Sequence, residues 1–462
     1  MTTALAPAAR SDTRQGWTVL AVCCLSLFIV GLDTTIVNVA LPTIGTGLHV
    51  GTRGLEWALD AYTLVLASML ITSGALADRL GRRRVFRFGL VIFGASSVAC
   101  ALAPSVGVLI AARAVQGVGG SMLSPVALAI VVNTITDPKE RARAIGIWAA
   151  VFGLSMATGP SLGGALIGGF GWRSVFWVNV PVIAAALFLT AKFVPESRAA
   201  NPRRLDGPGQ VLLTAVVGGS VALLIEGPHL GWGSTAALVG YLLVTAVLGL
   251  FIRVETRRPE PLLDLRLFTR VPFAAAVIGA VVVFVALNAT LLLSTLYLQH
   301  SRGLTALAAG AITLPMAIAA TVFAPVSGIL VGRVGPRLPL LLAGGLISSG
   351  GLCLAGLSQH TNLGVLLVAF VLIGAGFGFA NAPITNTAVS GLPAAQAGVA
   401  GGITSAARQF GAALGIAIAG GIVTGASDAD LAQASRPGWL VIAGCGLFVL
   451  TIARVTPAAG AP

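Results

Sequence analysis

Two charged side chains lie in stretches where charge is expensive. "CCLSLFIVGLDTTIVNVALP", Cys23–Pro42, is almost wholly apolar yet contains Asp33, and "IAARAVQGVGGS", Ile110–Ser121, contains Arg113. A charged residue at the centre of a membrane-spanning helix costs about 2.5–3.5 kcal/mol on insertion scales. A buried carboxyl group is kept for one of two reasons. Burial moves it towards the pH range where it can load and release a proton, or a nearby cation holds it ionised as a structural partner. With a span ending at Pro42, Asp33 lies nine residues, or roughly 13 Å, from that end at 1.5 Å per residue. Arg113 lies about seven residues, roughly 10 Å, from the same side of its own span. The comparable depths allow an Asp33–Arg113 relation, and both reasons stay open.

Other polar groups fall in the same setting. In "LEWALDAYTLVLASML", Glu56 and Asp60 are four residues apart on one helix face. Glu56 is near enough to the span end to be merely solvated. Asp60, a turn deeper, either lines the same half of the molecule as Asp33 or is a hydrated vestibule residue. These outer-half acids tilt any bound organic molecule towards cations. Arg408, mid-span in "SAARQFGAALG", must face the bundle interior or a water-filled cavity rather than lipid. Asn38, Gln116, Asn288, Asn381, Asn386 and Gln409 add amides that either touch a bound molecule or join neighbouring helices. Glu226, before "GPHLGWG", reads as an interfacial residue.

Composition defines the elements that must position these groups. The chain has 462 residues, 56% hydrophobic and 9% charged, with a mean hydropathy of +0.95. A water-facing exterior needs far more charge than this. Apolar runs long enough to cross ~30 Å of hydrocarbon recur along the chain, and they are too long and too continuous for barrel strands. Fourteen spans are predicted, at 17–41, 55–77, 84–103, 106–132, 141–167, 173–194, 208–227, 234–254, 271–298, 304–331, 338–358, 362–387, 396–424 and 437–455. The first is read as a retained span, because no small-residue cleavage site follows it.

With the N-terminus cytoplasmic, twenty-two of the 28 Lys and Arg residues fall on the cytoplasmic side. That bias orients the chain by the positive-inside rule, with both termini inside. The net charge of +13 is therefore a topology signal and not a nucleic-acid patch. Trp57, Trp172, Trp232 and Trp439 map near the outer interface, Trp17 near the inner one, and the four histidines at outer span ends. All five cysteines fall in apolar runs without metal-ligand spacing and read as small buried hydrophobes. There is no HExxH, no GxSxG and no Cys/His cluster. "GAGFGFAN", Gly374–Asn381, lies inside an apolar span and lacks the strand and helix start of a phosphate loop. Neither an enzyme nor a cofactor is indicated.

The chain repeats itself. "GALADRLGRRR" follows the second span and "GILVGRVGPRL" the tenth, so Gly74, Arg79, Gly81 and Arg83 recur 254 residues later as Gly328, Arg333, Gly335 and Arg337. Duplicated halves with a path between them are a plan of secondary transporters. Two spans, 208–227 and 234–254, are left over between basic, Pro-rich linkers. The expected units are a six-helix bundle over 1–195, linkers with two extra helices over 196–260, and a second six-helix bundle over 261–462.

Several of these stretches resemble the major facilitator superfamily, specifically its fourteen-helix drug:proton antiporters. "LDTTIVNVALP" is similar to the first-span signature, "GALADRLGRRR" to the loop motif, "RAVQGVGGS" to the fourth-span motif and "GLSMATGPSLGG" to the fifth-span antiporter motif. "GWRSVFWVNVP" is a further subfamily-like stretch. The C-terminal half is matched more weakly, by "ANAPITNTAVSGL" and "GGITSAARQFGAALG". Two departures are Gly332, standing where the first loop copy has Asp78, and a connection over 425–436 too short for the large outer hairpin of some relatives.

The resemblance implies an all-helical membrane protein that exports amphipathic drugs or antibiotics in exchange for protons, monomeric in the inner membrane. It implies proton coupling at Asp33 and Arg113, and substrate or proton binding among Asp60, Asn38, Gln116 and Arg408. Gly74, Asp78, Arg79, Gly81, Arg82 and Arg83 would form a cytoplasmic gate; their other reading is topology charge alone. Gly153, Gly159, Pro160, Gly163 and Gly164 would give the fifth span a small-residue face and a bend, as an antiporter-specific seal or as plain helix packing. A dedicated exporter of one endogenous metabolite or antibiotic, a solute:proton symporter, and a non-transporting receptor or scaffold are the alternatives.

Overall fold

The computed structural model describes residues 13–135, 137–198, 206–258, 261–389, 394–427 and 430–456, and every regular element among them is helical. The N-terminal bundle contains α1 (Thr13–Leu48), α2 (Thr52–Leu80), α3 (Arg82–Ala101), α4 (Val106–Ser121), α5 (Ser124–Thr134), α6 (Pro138–Phe170), α7 (Ser174–Trp177) and α8 (Asn179–Phe193). An inserted hairpin follows, α9 (Gly207–Leu230) and α10 (Thr235–Arg257). The C-terminal bundle contains α11 (Val271–Leu296), α12 (Ala306–Val334), α13 (Arg337–Leu354), α14 (Leu363–Val389), α15 (Ala394–Val423), α16 (Leu431–Ala434) and α17 (Arg436–Val455). Taking α4 with α5, α7 with α8 and α16 with α17 gives the fourteen predicted spans.

Boundaries differ where local chemistry intervenes. Pro42 does not end α1, which runs on to Leu48 while Trp172 covers Gly47. Asp33 therefore lies fifteen residues, about 22 Å, from that helix end, deeper than expected. The fourth span is broken at Met122 and Leu123, where Pro125 starts a new helix. The last turn of the ninth span widens into a π-helical segment, Tyr297–Ser301. Trp439 is wholly buried and donates to Ser435 Oγ at 3.1 Å, so it is a core residue and not part of an interfacial belt. Cys23, Cys24 and Cys100 are buried as expected, but Cys353 is exposed.

The repeat is structural. Gly81 (φ +110°) closes α2 onto α3, and Gly335 (φ +81°) closes α12 onto α13, both in backbone conformations that side chains other than glycine's strain against. Within the N-terminal bundle α1 packs on α5, α6 and α8, α2 on α4, and α3 on α4 and α8. In the C-terminal bundle α11 packs on α14, α15 and α17, α12 on α14, and α13 on α14 and α17. The glycines of "GAGFGFAN" serve this packing: Gly374 lies on Met316 and Gly378 on Ala320, both of α12.

The bundles meet through α6 with α12, α2 with α15, and α1 with α11. The closest approaches cluster at the end of the molecule that carries Leu48. A Cβ on Gly164 would stand 2.6 Å from Leu307 Cα, Gly310 lies against the Pro160 carbonyl, and Gln299 Nε2 donates to Val39 O at 3.2 Å. At the end that carries Leu80, Gly74, Gly328 and Gly332 all face open space.

The inserted hairpin is part of this seam. Val217, Val221 and Ile225 of α9 form one cluster with Leu64 of α2 and Ala413 and Ala417 of α15. Gln210 Nε2 donates to Ser68 O at 2.8 Å, and Thr72 donates to Gln210 Oε1. Glu226 accepts from Arg53 Nε at 2.8 Å and Trp57 Nε1 at 3.0 Å, so it fastens α9 to α2. Helix α10 packs on α9 and presents Leu238, Leu242 and Leu243 outward, the surface a lipid-facing helix needs.

A cysteine pair tests this arrangement. Gly164→Cys with Leu307→Cys, in a background lacking the native cysteines, should cross-link in membranes under mild oxidation and shift on a reducing-sensitive gel. No cross-link would mean that the bundles do not touch at α6 and α12.

Candidate functional site

Asp33 of α1 and Arg113 of α4 meet in the centre of the N-terminal bundle, with Arg113 Nη1 2.5 Å from Asp33 Oδ2 and side-chain exposures of 1% and 0%. Two ions this dry are stable together only if their remaining groups are satisfied. Gln116, one turn along α4, accepts from Arg113 Nη1 at 2.8 Å and donates to Asp33 Oδ1 at 3.0 Å. Asn179, at the start of α8, donates to the same Oδ1 at 3.0 Å. Both amides also donate to Ser97 Oγ of α3, at 3.3 and 2.8 Å, and Ser97 passes its own proton to Phe176 O at 3.1 Å. Arg113 Nε donates to Ala58 O of α2 at 3.2 Å, and its guanidinium lies 4.2 Å over the Tyr62 ring. One ion pair thus ties together α1, α2, α3, α4 and α8.

Every group around Asp33 is a donor, the arrangement that suits a carboxylate. The depth match in the sequence found Asp33 and Arg113, and Gln116 was already a candidate. Asn179 and Ser97 were missed. Their only signal is a neutral polar residue inside an apolar run, and serines and amides in such runs are common.

The second acidic pair is not where it was expected. Glu56 is not solvated: it is 2% exposed, its carboxyl lies against Gly420 of α15, and Oε1 has no partner. The helix end it belongs to is covered by the other bundle, which a single-helix depth argument cannot register. Asp60 is fully buried, with Oδ1 3.3 Å from Thr63 Oγ1 and Oδ2 unpartnered. Asp60 and Asp33 therefore occupy separate environments and share no vestibule here.

Asn38 donates to Thr34 O at 3.0 Å and leaves Oδ1 unpartnered. It lines a narrow void between the bundles together with Thr35, Thr295, Gln299 and Thr313, a lining with hydroxyls and amides but no charge. The fifth-span motif closes that void. Gly163 lies on Ile36 and Gly159 on Thr35, while Pro160 and Gly164 carry α12 at Gly310 and Leu307. Gly153 lies on α6, with its surroundings outside the described residues.

The loop motif is folded onto its own bundle. Asp78 accepts from Arg82 at 2.8 and 3.1 Å, one turn away. Arg83 donates to Ala191 O at 2.7 Å, and its backbone N–H donates to Glu196 Oε1 at 3.1 Å. Arg82 N donates to Ser197 O at 2.9 Å. Arg79 is exposed. Gly74 was expected to permit close packing, but nothing stands opposite it, because the bundles part at this end. Glu196 was missed, since in sequence it reads as one charge in a linker.

Two matched helical bundles around a buried polar network, with a seam between them and an exterior built for lipid, define a membrane transport protein. The family model of the Major Facilitator Superfamily matches residues 23–416, and the chain belongs to that family. It is 42% identical over 409 residues to the multidrug resistance protein Stp of Mycobacterium tuberculosis, covering 88% of this chain and 76% of that one. It is 37% identical to the tetracenomycin C resistance and export protein of Streptomyces glaucescens, covering 87% and 75%. The crystal structure of a D-xylose-proton symporter superposes with a TM-score of 0.67 at 15% identity, covering 96% of this chain and 98% of that one. At that identity the likeness is one of fold.

Removing one member of the Asp33–Arg113 pair strands the other. Arg113→Ala should cost about 3–5 kcal/mol of stability, and Asn179→Leu about 1–3 kcal/mol, measured by unfolding in detergent. Adding Asp33→Asn to Arg113→Ala should recover part of the loss. Strictly additive effects would mean that the two do not interact.

Proposed function

We propose that this protein exports amphipathic drugs or antibiotics from the cell in exchange for protons, by alternating access between its two bundles. The resistance and export roles named for its relatives support the direction of transport. The observation that carries proton coupling is the Asp33–Arg113 pair, an ion pair in the bundle core whose carboxylate has only hydrogen-bond donors around it. A proton arriving at Asp33 replaces Arg113 as its partner. The released guanidinium must then find other acceptors, and Ala58 O and the Gln116 amide already hold it on α2 and α4. Exchange of a proton for Arg113 therefore loosens the ties between α1 and α4, a local change that a rocking bundle can amplify.

By the distribution of arginines, the Leu80 end is cytoplasmic and both termini are inside, in the inner membrane. The structure described is then closed outside, along Gly159, Pro160, Gly163 and Gly164, and parted inside at Gly74 and Gly328. In the opposite state the Gly74 face of α2 and the Asp78–Arg83 turn meet the other bundle and act as the cytoplasmic gate. Residues 1–195, 196–260 and 261–462 are the working units, the middle one riding in the seam, and a monomer is sufficient. Asn38, Gln116, Asp60 and Arg408 are the further candidates for contact with substrate or proton.

Asp33→Asn, compared with the wild type at equal amounts of folded protein because it strands Arg113, should lose proton-driven export, so that addition of substrate to vesicles holding an imposed pH gradient no longer releases protons. Undiminished exchange by that variant would remove Asp33 from the coupling path. Gly74→Cys should react with a membrane-impermeant maleimide in inside-out vesicles and be protected when the outward-facing state is trapped; equal labelling in both states would dismiss the gate.

A further inference from the structure

Among the described residues, Arg408 has no counter-ion. It lies fourteen residues from the start of α15 and fifteen from its end, which places it at the middle of the membrane, about 21 Å along the helix. The helices of its own bundle from α11 to α15 have no acid to offer, because the sequence contains no Asp or Glu between Asp264 and Asp428, and Asp430 lies in the connection beyond the far end of α15. In the N-terminal bundle, Asp33 is taken by Arg113. Glu56 lies against Gly420, twelve residues along α15 from Arg408 and so about 18 Å away, and Asp60 is sealed beside it.

What Arg408 does touch is a hydroxyl. Nη2 donates to Thr385 Oγ1 at 2.5 Å, and Nε is buried with no partner. Thr385 and Asn386 on α14 are exposed and Arg408 is half-buried, so the Arg408–Thr385 contact borders open space. A guanidinium keeps its charge in any protein setting, and facing lipid at this depth would be prohibitive. The open space is therefore an aqueous path between the bundles, and at its wall Arg408 is a positive charge with no acid beside it among the described residues.

From this we infer that the transported molecule carries an acidic group, and that Arg408 with Thr385 is its docking point. A carboxylate or phenolate suits the guanidinium fork, gives it the acceptor it lacks, and cancels the charge that makes the empty path costly. The tilt towards cations read from Asp33 and Asp60 does not survive their positions, since one is already neutralised and the other is closed off. This assignment rests on the exporter reading above and narrows its substrate class.

Three fluorescent probes of similar size separate the possibilities: pyrenebutyrate, its primary amide, and ethidium. Their export is measured from expressing cells with and without a proton uncoupler. The wild type should export the acid at least tenfold faster than the amide or ethidium. Arg408→Gln should lower the acid-to-amide ratio at least tenfold, and Arg408→Lys should restore part of it. If Arg408→Gln fails to reach the membrane, Thr385→Val decides; it should lower the same ratio severalfold, and an unchanged ratio overturns the docking point. Uncoupler-sensitive export of ethidium or the amide without preference for the acid keeps the exporter and overturns the anionic cargo. Absent or uncoupler-insensitive export of all three overturns the exporter reading, and this inference with it.

Discussion

The N-terminal bundle depends on hiding one ion pair. Shut away from the surface, the Asp33 carboxylate and the Arg113 guanidinium must satisfy each other, and the donors and acceptors left over must find protein partners. Gln116, Asn179, Ser97, Ala58 O and Phe176 O do so, drawn from five different helices. The network fixes the relative heights and rotations of α1 to α4 and α8 more tightly than apolar packing can, because dispersion contacts tolerate sliding and hydrogen bonds at 3 Å do not.

Glycine does the complementary work in the seam. Where α6 crosses α1 and α12, side chains larger than hydrogen would hold the backbones apart, and the helices approach closely enough for dispersion to bind them. The same residue type at Gly74, Gly328 and Gly332 faces nothing. Two sets of small residues at opposite ends, one filled and one open, are what a pair of bundles rocking about its middle requires. The inserted α9 lies along this seam between α2 and α15. Glu226 and Gln210 bind it to α2, and against α15 it meets the small side chains of Ala413 and Ala417.

The polarity of the two bundles differs. The N-terminal bundle contains its acids and matches one of them with a base, whereas the C-terminal bundle carries a single intramembrane charge and no acid to meet it. Charge in the N-terminal bundle holds helices together. Charge in the C-terminal bundle meets a hydroxyl instead, at Thr385.

Sequence alone determined the number of spans, their approximate ends, the duplication, and the placing of Asp33 and Arg113 inside spans. Each follows from local quantities: the length of apolar runs against membrane thickness, the spacing of a repeated motif, and the rise per residue. Glu56 and Glu196 were out of reach because what surrounds them comes from α15 and from the opposite side of a helix hairpin, not from neighbours in the chain. Asn179 and Ser97 carry no charge to draw notice. Which carboxylate is paired, which is sealed, and which arginine stands alone are properties of several helices meeting at one height. Only the tertiary structure decides them, since a helix fixes how deep a side chain lies and not which neighbour it faces.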